Sequence, residues 1–370
     1  MGRLLIWTYS HFAVDFGCFY ILFAGLKVYV GNDLETLGAG FLAYNVIAFG
    51  LQSVLGAIGD ERPQLARGYG FAGTCLVLFG VLLVSGGQGT EWVWAAMVIA
   101  ALGNAFFHVG GGMDVLRRSG GKMSGSGVFV SSGAMGVALG TLCRSGETAS
   151  WLIFAAVLLT GLLQSLDTRD LKLKQYGLEI KTSWLSALSR THEYVPFETA
   201  RSGSFTVLVS LLMAAVFVRS YAGSIMPLEW ERTGWLVIMP AAASCLGKAL
   251  GGAVADRFGG RRTGIVSLLI SIPLICLGAE SMWLSLAGIL LFNMTMPITL
   301  CGLASLMPRN LGFAFGLTTL ALLIGVGITY FVAMPPGLAK PVVAVLTVCA
   351  VVCIGLTVND GKEDEKYEET

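Results

Sequence analysis

Leu250-Gly-Gly-Ala-Val-Ala-Asp-Arg-Phe-Gly-Gly-Arg-Arg262 closes one long apolar run and leads directly into another, and Leu55-Gly-Ala-Ile-Gly-Asp-Glu-Arg-Pro63 does the same earlier in the chain. Each stretch carries spaced glycines, then an Asp, then an Arg. Asp60 and Asp256 are 256 − 60 = 196 positions apart. Asn104 and Asn293 are 293 − 104 = 189 apart, and that second offset also carries Gly127 onto Gly316. Offsets of one sign, differing by a short insertion, mark a parallel internal repeat, the arrangement on which many secondary transporters are built.

Of 370 residues, 55% are hydrophobic and 13% charged, too apolar for a soluble surface. Spanning a bilayer takes roughly 20 apolar residues per helix. Twelve segments meet that length, at 5–29, 36–58, 65–85, 92–115, 122–143, 149–166, 203–226, 233–255, 262–279, 281–303, 310–332 and 340–358. The 49 glycines fit this reading, because small residues let membrane helices approach closely. The first segment carries Asp15 in mid-run and has no small-residue cleavage site, so it reads as a helix that stays rather than a removable signal.

Lys and Arg set the orientation. With the N-terminus in the cytoplasm, 18 of the 24 basic residues fall on the inner side and four, Lys27, Arg144, Arg232 and Lys340, on the outer, while Arg219 and Lys248 lie within helices. Both termini are therefore expected in the cytoplasm. With the basic residues following topology, the formal net charge of +1 implies no nucleic-acid partner. The expected organisation is a six-helix bundle over 1–166, a cytoplasmic loop over 167–202, a second six-helix bundle over 203–358 and an acidic, disordered tail over 359–370. Leu178, Ile180, Trp184, Leu185 and Leu188 suit a short helix on the membrane surface within the loop. The eight cysteines have no zinc or disulfide spacing.

Gly252-Ala-Val-Ala-Asp256-Arg-Phe-Gly-Gly-Arg-Arg262 closely resembles the signature loop of the major facilitator superfamily, found between helices two and three and again between eight and nine. The resemblance implies an all-α membrane fold of twelve helices in two pseudo-symmetric six-helix bundles. It also implies a cytoplasmic gate formed by Asp60, Arg62, Arg67, Asp114, Asp256, Arg257, Arg261 and Arg262. Asp114 is expected to pair with Arg62 or Arg67. The first copy, Gly59-Asp-Glu-Arg-Pro63, looks degraded beside the second, so the second is expected to carry more of the gate.

His11-Phe-Ala-Val-Asp15, Leu102-Gly-Asn-Ala-Phe-Phe-His108, the glycine-rich Gly133 to Gly140 and Arg219-Ser-Tyr-Ala-Gly-Ser-Ile-Met-Pro227 resemble a narrower group, the fosmidomycin-resistance branch. That likeness implies a drug-exporting antiporter in a bacterial inner membrane. Gly110-Gly-Gly112 stands where the branch has a proline.

Ionisable groups inside a membrane are costly and mark pathways. His11 and Asp15, four apart, share a helical face. At a rise of about 1.5 Å per residue, Asp15 reaches mid-membrane and His11 and His108 the cytoplasmic third. A carboxylate beside groups that titrate near neutrality suits proton coupling, and no other cofactor is implied. Arg219 suits a bidentate carboxylate or phosphonate, or a pair with Asp15. Lys248 matches Gln52 through the repeat offset. Anion carriers such as nitrate transporters resemble this arrangement with an arginine at both places. A Lys and a Gln point instead to an organic anion, or to a lysine that alternately pairs with Asp15. Tyr44, Asn45, Gln52, Asn104, Phe107, Asn293 and Thr295 are the expected further lining of a substrate cavity between the bundles.

The function expected is alternating-access exchange of protons for a small organic, possibly anionic, molecule or drug, with export favoured, by a monomer in the bilayer. Uptake of an organic anion is the alternative. A divalent-metal transporter using His11, Asp15 and His108 is another. No Gly-rich Lys-Ser/Thr loop suggests ATP. An enzyme is not expected: His11 and Asp15 have three residues between them where the acyltransferase pattern has four, and no nucleophile has a local partner.

Overall fold

The computed structural model describes residues 2–86, 89–143, 151–164, 200–230 and 234–360. Ten helices are long and apolar enough to cross a membrane. They are α1 (Gly2–Val30), α2 (Leu34–Glu61), α3 (Pro63–Gly86), α4 (Thr90–Ser119), α5 (Met123–Leu142), α7 (Phe205–Ser224), α8 (Ile238–Phe258), α10 (Met282–Leu306), α11 (Leu311–Tyr330) and α12 (Pro336–Thr357). The shorter apolar helices α6 (Trp151–Gln164) and α9 (Gly260–Cys276) bring the described set to twelve. The segments expected from apolar runs are all present, with ends shifted by a few residues. The proposed surface helix at Leu178 to Leu188 lies outside the described residues.

Local chemistry sets the ends. Asp33 accepts from the Thr36 amide at 3.1 Å and the Thr36 hydroxyl at 2.6 Å, capping the first turn of α2. These bonds hold its carboxyl below the usual carboxylate range. Pro63 opens α3, where a missing N–H costs nothing. Gly120 ends α4 in the left-handed conformation (φ 55°). α1 and α2 each contain a π-helical stretch, Ile21–Leu26 and Val46–Gly50, and α10 is interrupted at Met294.

The two sets of six helices meet along two seams, α2 with α11 and α5 with α8. Both seams are glycine against backbone. A Cβ on Gly56 would strike Gly312 and Phe313, and one on Gly316 would strike Gln52 and Ser53. In the other seam, Gly252 lies on Met123 and Ser124, and Gly127 on Lys248 and Gly252. The offsets of 196 and 189 carry Gly56 against Gly312 and Phe313 onto Gly252 against Met123 and Ser124, and Gly316 against Gln52 onto Gly127 against Lys248, so the repeat read from sequence is a repeat of contacts.

The end of the bundle bearing the α2–α3 and α8–α9 turns is latched shut. Asp60 accepts from the amides of Gly312 (2.9 Å) and Phe313 (2.8 Å) at the start of α11. Asp256 accepts from those of Met123 (2.7 Å) and Ser124 (3.0 Å) at the start of α5. A helix N-terminus presents free N–H groups and a positive dipole end, so each carboxylate finds a ready partner. The first copy of the motif, degraded by eye, makes the same number of bonds as the second. The expectation of an unequal latch came from the residues around Asp60, whereas the contact needs only the carboxylate and two amides.

Other gate expectations change. Asp114 does not pair with Arg62 or Arg67, which are exposed. It binds Arg118 at 2.8 Å, Arg3 at 3.1 Å and the Trp7 indole N–H at 2.8 Å, because Arg118 lies one turn along on the same face of α4 and the start of α1 packs beside it. Arg117 of α4 is the cation that interacts with Asp60. Arg257 lies over the Phe258 ring at 5.5 Å. Arg261 is half-buried. Arg262 meets Asp360 at 3.4 Å and gives its amide to the same carboxylate at 2.9 Å. Asn359 and Asp360, expected in the disordered tail, are thus docked at the start of α9, beside an isolated bridge between Val358 and Ala200. Residues 361–370 lie outside the described residues.

Candidate functional site

Two polar centres each join the first helix of a half to its fourth. In the first, α1 places His11 and Asp15 on one face and α4 brings Asn104 and His108 against them, all four buried. His11 Nε2 lies 3.2 Å from Asp15 Oδ2, and His108 Nε2 lies 2.9 Å from His11 Nε2 and 3.7 Å from Asp15 Oδ1. Asn104 donates to Asp15 Oδ1 at 2.9 Å. Each imidazole uses Nδ1 on a backbone carbonyl: His11 on Phe129 at 2.7 Å, His108 on Asn104 at 2.9 Å. Ligand atoms of His11, Asp15 and His108 all fall within 4.8 Å of one another.

The glycine-rich face of α5 makes room for this cluster. A Cβ at Gly133 would meet His11 Nε2 and Asp15 Oδ2, and Cβ atoms at Gly136 and Gly140 would meet the backbone of α1 at Phe12 and Phe16. The rest of the surround is apolar and aromatic, with the Phe129 ring 4.8 Å and the Phe107 ring 6.2 Å from that of His11. Phe107 is fully buried between Trp7 and the backbone of α3 at Gly73. It therefore belongs to the core of the first half and does not line a substrate cavity; an aromatic beside polar residues in a helix does not reveal which face it takes. Asn104, expected in the cavity lining, serves the cluster instead.

In the second half, Arg219 of α7 donates to Thr295 Oγ1 of α10 at 2.8 Å and approaches Met296 Sδ at 3.3 Å. Its Nε is buried without a partner. Arg219 and Lys248 both line a cavity of about 460 Å³, whose walls also include Ser244, Phe292, Asn293 and Met296 and, among the described residues, no carboxylate. Ser224, Met226 and Leu228 are shared with a second cavity of about 560 Å³ that reaches Thr329, Val332 and Glu229, the last paired with Lys340 at 3.2 Å. The space thus continues toward the end of the bundle opposite the latch. The sequence reading missed Ser244, although it stands four residues before Lys248 and so on its face of α8.

Neither cation forms an ion pair with Asp15; Lys248 lies only within electrostatic reach of it. Gln52, buried, donates to the Ala48 carbonyl at 2.7 Å. Asn45 donates to the Tyr330 hydroxyl at 2.9 Å across the α2–α11 seam. Tyr44 is buried against Cys18 and the cluster. Asn293 lines the cavity while bonding its own helix at Ile289.

No family model and no curated protein sequence matches the chain. Solved structures do. The chain is similar to the E. coli fucose:proton symporter FucP, a major facilitator superfamily transporter in its outward conformation (14% identity, TM-score 0.65, covering 95% of this chain and 97% of that one). It is similar to the human organic anion transporter MFSD10 (14% identity, TM-score 0.66, 96% and 99%). It also resembles a bacterial homologue of the iron transporter ferroportin in its outward-facing state (15% identity, TM-score 0.61, 96% and 97%). These likenesses run nearly end to end at low identity, and what they share is the fold. This is an all-α, multi-pass membrane protein with the major facilitator fold.

Proposed function

We propose that this chain is a proton-coupled secondary transporter that carries a small organic anion by alternating access. The observation that carries the reading is the pairing of a compact His–Asp–His cluster in one half with a cavity in the other that Arg219 and Lys248 line with no carboxylate beside them among the described residues. A cluster with no room beside it suits the smallest cation. A cavity with Arg219 and Lys248 on a wall of mixed apolar residues, serines and Asn293 suits a small molecule with an acidic head. The fold neighbours are transporters of a sugar with protons, of organic anions and, for the third one's relative, of iron, and the first two accord with these two sites.

The 18-to-4 division of Lys and Arg puts the latched end and both termini in the cytoplasm, of a bacterial inner membrane by the branch resemblance, so the cavity faces outward. One further feature bears on direction. A proton on the cluster cancels the charge of Asp15 and leaves Lys248 to the anion, so proton and substrate bind best together, which is the logic of uptake. The branch resemblance favours exchange and export instead. In proteoliposomes, an imposed pH gradient is expected to drive anion flux, and the direction of that flux separates uptake from export. Asp15→Asn is expected to abolish the drive while leaving gradient-free exchange partly intact. Undiminished gradient-driven flux in that variant overturns the assignment.

A further inference from the structure

We infer that the cluster holds its proton between the two imidazoles, as an Nε2–H···Nε2 bridge from one histidine to the other, with Asp15 as an ionised counter-ion rather than the proton carrier. This deepens the preceding proposal by naming the group that holds the coupling proton, and it rests on that proposal only for the proton's role in transport.

A backbone carbonyl accepts and never donates. His11 Nδ1 at 2.7 Å from the Phe129 oxygen and His108 Nδ1 at 2.9 Å from the Asn104 oxygen must therefore both carry hydrogen. A neutral imidazole has one N–H, so two neutral rings would turn bare Nε2 lone pairs on each other at 2.9 Å. Two acceptors without a hydrogen between them repel at that distance. One added proton converts the contact into an N–H···N bond of ordinary length.

The alternative location fails on the same geometry. A proton on Asp15 Oδ2 would satisfy the His11 nitrogen 3.2 Å away and leave the His108 lone pair facing it. Asp15 Oδ1 already accepts from Asn104. A proton on the ring pair, carried by His11 Nε2 where it faces both His108 Nε2 at 2.9 Å and Asp15 Oδ2 at 3.2 Å, relieves every contact. The sum of charges agrees: one imidazolium and one carboxylate leave the buried group neutral, as an apolar surround requires.

The groups facing the pair from each packed element are few. α1 adds Cys18, α2 adds Tyr44, and α4 adds the non-titrating Asn104. α5 offers only Phe129 and Gly133. Across the interface, Lys248 of α8 is in electrostatic reach of Asp15. When the proton leaves, the two nitrogens repel and Asp15 loses its partner, and the rings have nowhere to go while Gly133 and Phe129 hold them. Discharge therefore pushes α1 and α4 apart, which ties the proton to helix movement.

The chain has three histidines, so a His192→Gln background leaves the pair as the only imidazoles. With ¹⁵N-histidine label in lipid nanodiscs, nitrogen NMR at neutral pH is expected to show both Nδ1 protonated and a scalar coupling between the two Nε2 nuclei across one hydrogen. Asp15→Asn is expected to abolish the coupling. Infrared difference spectra between the parent and Asp15→Asn are expected to lack a protonated-carboxyl band. Two unprotonated Nε2 nitrogens, a protonated Asp15 carboxyl, or a stoichiometric transition metal released by a chelator would each overturn the inference. A present coupling without any gradient-driven flux would leave the shared proton standing and overturn only its transport role.

Discussion

Asp15 and Arg219 each project from the first helix of a half onto the fourth, Asp15 onto Asn104 and Arg219 onto Thr295. The difference lies in what surrounds them. Asp15 has donors on both oxygens and two imidazoles within 3.7 Å. Arg219 has one hydroxyl, a thioether and an unpartnered Nε at the edge of a cavity. A charge with all its partners supplied by the chain is bound to it, whereas one left partly unsatisfied waits for a partner from outside. One scaffold used twice thus yields a closed cluster of a carboxylate and imidazoles and an open cavity lined by two cations.

The sharpest way to break this comparison is to neutralise each charge in turn. Asp15→Ala is expected to cost about 3–5 kcal/mol of stability, because it strands a buried imidazolium without its counter-ion. Arg219→Ala is expected to leave thermal stability close to the parent while removing anion binding. Thermal unfolding in detergent, with and without anionic ligands, checks both; equal destabilisation would make the two charges structural alike.

Lys248→Gln, which copies Gln52 into the second half, is expected to weaken anion binding by about 1.5–3 kcal/mol, the scale of a hydrogen bond to a charged group. Isothermal titration reads this directly. If Lys248 instead serves Asp15, the Lys248→Gln, Asp15→Asn double variant would be more stable than the sum of the single losses predicts.

The latch extends the comparison from chemistry to mechanics. Asp60→Asn and Asp256→Asn each remove one charged acceptor from a two-amide cap, and the matching geometry predicts equal shifts toward opening at the latched end. Double electron-electron resonance between labels at the latch ends of α4 and α10 measures the opening. A clearly larger shift from Asp256→Asn would restore the unequal latch that the sequence suggests. The smallest effect belongs to Tyr330→Phe, which removes the Asn45 bond across one seam and is expected to cost about 0.5–1.5 kcal/mol in thermal unfolding.

The twelve apolar runs and the repeated Asp loops were legible because their signal is local: length, hydropathy and a fixed offset. His11 and Asp15 were legible for the same reason, being four residues apart on one helix. The imidazole contact was not, since His108 comes from a helix 97 residues away and only depth in the membrane hinted at it. Asp114 shows the opposite error. Its partner Arg118 was four residues off on the same face, a readable pair, while a more distant partner was preferred because it suited the gate. Phe107 and Asn104 sit among cavity candidates in sequence, yet helix rotation turns them inward, and rotation is set by packing rather than by composition. Asp360 looks like part of an acidic tail; only the nearness of the α9 start in space makes it a cap.

The glycine seams carry one more implication. Where α2 crosses α11 and α5 crosses α8, main chain rests on main chain, and main chain has no rotamers to rearrange. A rocking motion of one half against the other would turn there as on a bare bearing, without the frictional cost of reshuffling interlocked side chains. Such a bearing is also unforgiving, for a single methyl at Gly316 or Gly127 acts as a wedge and jams the pivot while leaving both chemical sites intact.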